Sequence, residues 1–131
     1  MEKAELEVLL IKSLHSDKIA TEYIEDNLNN IDFFNTLLSI VQTSESGDAR
    51  MKGAFFLSKC DETLLRSAED ALLVLMDDEW DSVAVHIMVA LSRIKSSKAI
   101  EKIIKNRIKP ILGWEGRCLE IYFQGESNEK K

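Results

Sequence analysis

Apolar residues recur at every third or fourth position through most of the chain, the period of an amphipathic helix. Leu6, Leu9, Leu10 and Leu14 make one face of a helix over residues 4–14, with Glu2 and Glu5 at its positive end. Ser16-Asp17 reads as a stop followed by a cap. A second helix places Ile19, Ala20, Tyr23, Ile24 and Leu28 on its inward face and ends at Asn29-Asn30. Asp32 is expected to cap a third helix, carrying Phe33, Phe34, Leu37, Leu38, Ile40 and Val41, and Ser44 to Gly47 reads as a loop. A helix from Asp48 to about Lys59 follows, with Met51, Ala54, Phe55 and Leu57 apolar. Asp61 caps one continuous helix through Leu64, Leu65, Ala68, Ala71, Leu72 and Leu75. Asp77 to Glu79 is an acidic corner, and Asp81 or Ser82 starts a helix apolar on nearly every side as far as Leu91. Such a helix belongs at the centre of the domain. Ser96 or Ser97 opens the next, with Ala99, Ile100, Ile103, Ile104 and Ile108 inward, and Pro110 ends it. A last helix is expected over Trp114 to Phe123, then a polar tail over 125–131.

Composition narrows this picture. The 131 residues suffice for one domain, assigned to 1–124. Hydrophobic residues at 45% allow a buried core, while one proline and five glycines argue against a turn-rich all-β protein. Two cysteines do not make a disulfide framework. No apolar run approaches the roughly 20 residues of a membrane span. The acidic N-terminus lacks the pattern of a signal peptide, so a cytoplasmic setting is expected.

Sliding the sequence against itself by 34 residues puts Leu57-Ser-Lys59 on Leu91-Ser-Arg93 and Met51 on Val85. A second step puts Trp80-Asp81 on Trp114-Glu115 and Ile87 on Ile121. A period of this length marks helical hairpins that bury their apolar faces only by stacking. The segments Asp48-Ala-Arg-Met-Lys-Gly-Ala-Phe-Phe-Leu57, Asp81 to Leu91 and, partially, Glu115 to Tyr122 resemble HEAT-like repeats over residues 48–124, with Ala84 where arginine is usual. The resemblance implies an all-α chain of seven to eight helices stacked as antiparallel hairpins in a short α-solenoid. The tetratricopeptide pattern has the same period, but its Trp, Gly and Tyr landmarks are not at the required spacing.

The net charge of −6 hides a segregation. Residues 1–44 carry 8 acids and 3 bases, residues 45–81 carry 10 acids and 4 bases, and residues 82–110 carry 1 acid and 7 bases. The acids Glu62, Glu69, Asp70, Asp77, Asp78, Glu79 and Asp81, with Trp80 and the repeat-equivalent Trp114, form the candidate partner-binding set. The plainer reading is solvated caps and corners with both tryptophans in packing roles. A calcium loop lacks its glycine and distal glutamate. Lys95, Lys98, Lys102, Lys105 and Lys109 make a basic helix that a phosphate backbone could use, but no aromatic lies among them to stack bases. The alternative is an outer face paired with acids of the preceding hairpin.

No pattern for catalysis, metal or cofactor stands out. His15 and His86 lack Cys, Asp or Glu partners at ligand spacing, Cys60 and Cys118 read as reduced core or near-core thiols, and no Gly-rich phosphate loop is present. The expectation is a non-catalytic protein-binding module. In size, acidity and architecture it resembles bacterial toxin-immunity proteins, which implies a basic, nuclease-like toxin as partner. The alternatives are a nucleic-acid module using 95–109 and a general adaptor or scaffold.

Overall fold

The computed structural model describes residues 2–105, and of Ile104 and Lys105 only the backbone. The expected helix over 114–123, Trp114, Cys118, Lys109 and the 125–131 tail lie outside the described residues. The described residues form an all-helical array of eight helices packed against one another. They are α1 (Lys3–Leu14), α2 (Lys18–Asp26), α3 (Ile31–Thr43), α4 (Gly47–Leu57), α5 (Glu62–Ser67), α6 (Glu69–Leu75), α7 (Asp81–Arg93) and α8 (Ser97–Lys105). No strand occurs among the described residues.

Short side chains decide where the helices start. Asp17 accepts from the Ala20 N–H, Ser46 from Ala49 and Ser96 from Ala99, each satisfying a donor left open by the first turn. Several boundaries differ from expectation: α2 ends at Asp26 rather than Asn29-Asn30, which leaves Leu28 beyond it, and α4 ends at Leu57 rather than about Lys59. Asn30, not Asp32, caps α3, because its side chain reaches the Phe33 N–H at 3.0 Å, and Asp32 lies in the first turn. Ser46 takes the cap ahead of α4, so Gly47 begins the helix rather than closing a loop. The expected single helix over 61–75 is broken at Ala68, which ends α5 and opens α6. The Ser67 hydroxyl donates to the Leu64 carbonyl at 2.6 Å there, competing with the helix ladder.

The turns after α1 and α7 share a construction. Ser16 and Lys95 take left-handed backbone angles, φ 68° and 51°. Asp17 N–H then donates to Lys12 O while Ser16 N–H donates to Ser13 O, and Ser96 and Lys95 do the same to Leu91 O and Ser92 O. This 6→1 and 5→2 pair closes a helix end. Asp17 and Ser96 also cap the following helix, so each finishes one rod and starts the next.

The core runs through the whole array: Leu6, Leu10, Ile24, Phe34, Leu37, Ile40, Phe56, Leu57, Leu65, Leu72, Ile87 and Leu91 are all fully buried. Each such side chain contributes on the order of 1.5–3 kcal/mol. α7 is central as expected, packing on α4, α5 and α6, but α4 shares that role through contacts with α1, α3 and α7. Small residues let α4 serve: a Cβ on Gly53 would stand 2.8 Å from Val41 Cγ2 of α3. The inward face expected for α2 is only partly inward. Ala20 and Ile24 are buried, whereas Ile19 is 81% exposed and Tyr23 is exposed beside Phe33.

α4 and α7 begin 34 residues apart, at Gly47 and Asp81, and lie side by side. Polar ties join successive units at similar separations. Arg93 Nη1 donates to Ser58 O and Cys60 O, each at 2.6 Å, beyond the C-terminus of α4. Arg66 Nη1 donates to Ile94 O at 3.4 Å and Lys102 Nζ to Leu73 O at 2.6 Å. Cations here satisfy carbonyls that a helix end leaves open.

Candidate functional site

The acidic corner is largely neutralised from within. Arg50 projects from α4, where a charged side chain survives burial only if it is paired. Its Nε donates to Asp78 Oδ2 at 3.2 Å, with both side chains only 9% exposed. Its Nη1 donates to Ser44 O at 2.9 Å, and Nη2 stands 3.5 Å from Glu79 Oε1. Asp78 Oδ1 accepts from the Trp80 N–H at 2.9 Å. Asp77 meets Lys102 Nζ at 2.7 Å. Asp70 meets Lys98 at 3.6 Å, and Glu62 meets Arg66 of its own helix at 3.9 Å. Glu69 is half-buried in the first turn of α6, while Asp81 is exposed at the start of α7.

Trp80 stands on this base. Its indole is 41% exposed and lies with the Arg50 guanidinium 5.7 Å from the ring centroid. The six-membered ring rests on Gly47, and a Cβ at position 47 would collide with it. Only glycine leaves room for so close an approach to the helix backbone. Exposed Asp48 follows Gly47, and exposed Glu79 and Asp81 flank the indole in sequence. The result is a half-exposed aromatic seated on the helix backbone with exposed carboxylates next to it and to Gly47 along the chain, the combination that binds cationic, apolar-edged groups. Of the nine candidate residues, the structure brings Asp78, Glu79 and Trp80 together around Arg50, with Asp81 adjoining. Glu62, Asp70 and Asp77 are engaged elsewhere, and Trp114 lies outside the described residues.

Sequence reasoning missed Arg50 as the organiser. The signal was its place in the quoted repeat segment, where the resemblance makes arginine usual. It also missed a second grouping, in which Lys52 of α4 and Lys59 of the turn after it approach Phe55 at Nζ-to-centroid distances of 4.4 and 4.9 Å. His86 of α7 meets the same ring edge-on at 5.5 Å. Burial, then the charges of Lys52 and Lys59, push the His86 imidazole below its ordinary value.

Lys98 and Lys102 of the basic helix are both paired with acids. Lys105 is described by its backbone alone. Among the described residues no group of three or more His, Cys, Asp or Glu comes together as a metal site. Cys60 is buried, donates to Phe56 O at 3.5 Å, and burial pushes its thiol up to about 12. No described helix is long and apolar enough to cross a membrane. Comparison with family models, curated proteins and solved structures returns no match for this chain.

Proposed function

We propose that this chain is a non-catalytic protein-binding module that takes a basic partner through the corner built around Trp80. The observation that carries the reading is the seating of Trp80: a half-exposed indole resting on Gly47 and close to Arg50, with the exposed acids Asp48, Glu79 and Asp81 next to Gly47 and Trp80 in sequence. A preformed aromatic anchor loses little conformational freedom on binding, and its acidic rim steers a cationic surface toward it. The most concrete version is a bacterial immunity protein neutralising a basic, nuclease-like toxin, supported by size, acidity and helical stacking rather than by any motif. A phosphate-binding role for the basic segment 95–109 has less support, since Asp70 and Asp77 already engage Lys98 and Lys102. A general adaptor role makes no use of the acidic rim.

The test keeps Asp78 intact, because its charge is needed inside. A partner captured from native extract is identified, purified and titrated against the wild type, Trp80→Ala and Glu79→Gln/Asp81→Asn. The tryptophan variant should weaken binding by about 2 kcal/mol, roughly thirtyfold in Kd. The double charge variant should slow association and flatten its salt dependence. Unchanged affinity in Trp80→Ala, or a partner with an acidic contact surface, refutes the proposal.

A further inference from the structure

The grouping around Phe55 is independent of the acidic corner and opposite to it in sign. Lys52 and Phe55 lie three residues apart on one side of α4, and Lys59 stands in the turn just after the helix, from which its ammonium group reaches the same ring. The adjoining stripe of α7 holds His86 and Arg93, which stand 34 residues after Lys52 and Lys59. Because α4 and α7 pack side by side in this register, the seam between them gathers cation-forming side chains in a chain whose net charge is −6. Arg93 is tied to the Ser58 and Cys60 carbonyls, which are neutral acceptors and leave its charge in place. Among the described residues, neither Lys52 nor Lys59 forms an ion pair with an acid.

A ring face attracts an ammonium group without neutralising it. Phe55 therefore restrains two flexible cations while leaving their charge available, which reduces the entropy lost when a third group joins them. We infer that the α4–α7 seam around Phe55 is a binding site for a phosphate monoester, held by the Lys52 and Lys59 ammonium groups with the His86 imidazole as a further donor. A phosphate monoester carries about −1.5 to −2 at pH 7, which two lysines match and a single carboxylate does not. A polyanion fits less well, because exposed Asp61 and Glu62 stand two and three residues after Lys59 and would repel its continuing backbone. The ester is a small molecule or a phosphorylated side chain, which share the group recognised.

The imidazole of His86 serves as reporter in NMR titrations of the whole chain, with exposed His15 as internal control. Inorganic phosphate and a phosphoserine peptide are each added, against sodium chloride of equal ionic strength and the unphosphorylated peptide. Phosphate is expected to move the His86 signals saturably and chloride not. Lys52→Gln and Lys59→Gln should each weaken binding about fivefold and together roughly 25-fold. Lys98→Gln, on another helix, should leave it unchanged, and circular dichroism checks that all variants fold. Tighter binding of the phosphopeptide than of inorganic phosphate identifies a protein source, and equal affinity a small ester. An equal response to chloride, or wild-type affinity in the Lys52/Lys59 double variant, overturns the assignment.

Discussion

Replacing Arg50 with methionine keeps much of the side-chain volume and removes the charge. The substitution strands two groups at once: the Asp78 carboxylate, 9% exposed, and the Ser44 carbonyl that accepted at 2.9 Å. An uncompensated buried charge costs about 3–5 kcal/mol. Asp78 lies at a corner and can relax toward water, so the lower end applies, about 3 kcal/mol. Domains of this size hold only about 5–15 kcal/mol in all. The midpoint of thermal unfolding should fall by roughly 15 °C. Asp78→Asn alone should cost about 1.5 kcal/mol, having removed a partner but left a polar group that still accepts from Trp80. The Arg50→Met/Asp78→Asn double variant should then cost about 3 kcal/mol rather than the sum, a coupling of about 1.5 kcal/mol. Urea unfolding followed by circular dichroism measures all four corners of the cycle. Repeating it in 1 M salt should change the coupling little, because salt screens buried pairs far less than exposed ones. A cost below about 1 kcal/mol for Arg50→Met, or additive single effects, would show that the corner is an ordinary solvated surface.

Three further outcomes follow from burial and backbone geometry. In a Cys118→Ser background the Cys60 thiol should resist labelling in the native state and react at the rate of opening. Its folded value of about 12 exceeds the unfolded reference of 9.0, so the unfolded chain releases the proton first. Stability should therefore be intact below pH 9 and fall between about pH 9 and 12, with a slope approaching 1.4 kcal/mol per pH unit that Cys60→Ala abolishes. At Ser16, whose φ is 68°, glycine accepts the left-handed angle without a Cβ penalty. Ser16→Gly should stabilise by about 0.5–1 kcal/mol, and destabilisation in urea would count against the turn geometry.

Helix content was legible because periodicity and short polar caps are local signals. Ser96 or Ser97 was the expected opening of α8 and Asp17 the expected cap of α2, and the starts read for α4 and α7, at Asp48 and at Asp81 or Ser82, fall within a residue of those observed. What stayed hidden was non-local. Asp78 belongs to an acidic run in sequence, yet its partner is 28 residues upstream on another helix. Ile19 fits an inward helical face, but Ala20 and Ile24 take that side and leave it in water. Ala68 breaks a helix that its own propensity favours, because the Ser67 hydroxyl and the packing of α6 on α7 redirect the chain. The spacing of Lys52 and Phe55 was visible in the sequence, with Lys59 just beyond the helix. Its meaning needed the register of α4 against α7, which brings His86 to the same ring.

The ties from Arg93 back to Ser58 and Cys60, and from Asp78 back to Arg50, matter for how a nascent chain emerges from the ribosome. When the end of α4 first leaves the exit tunnel, the groups that will settle its buried cation and close its trailing carbonyls have not yet emerged from it. That helix must wait some 28 to 35 residues for its completion. Partial products stopped before α7 should therefore be prey for proteases and chaperones, and the array should gain its resistance late, in one step, rather than hairpin by hairpin.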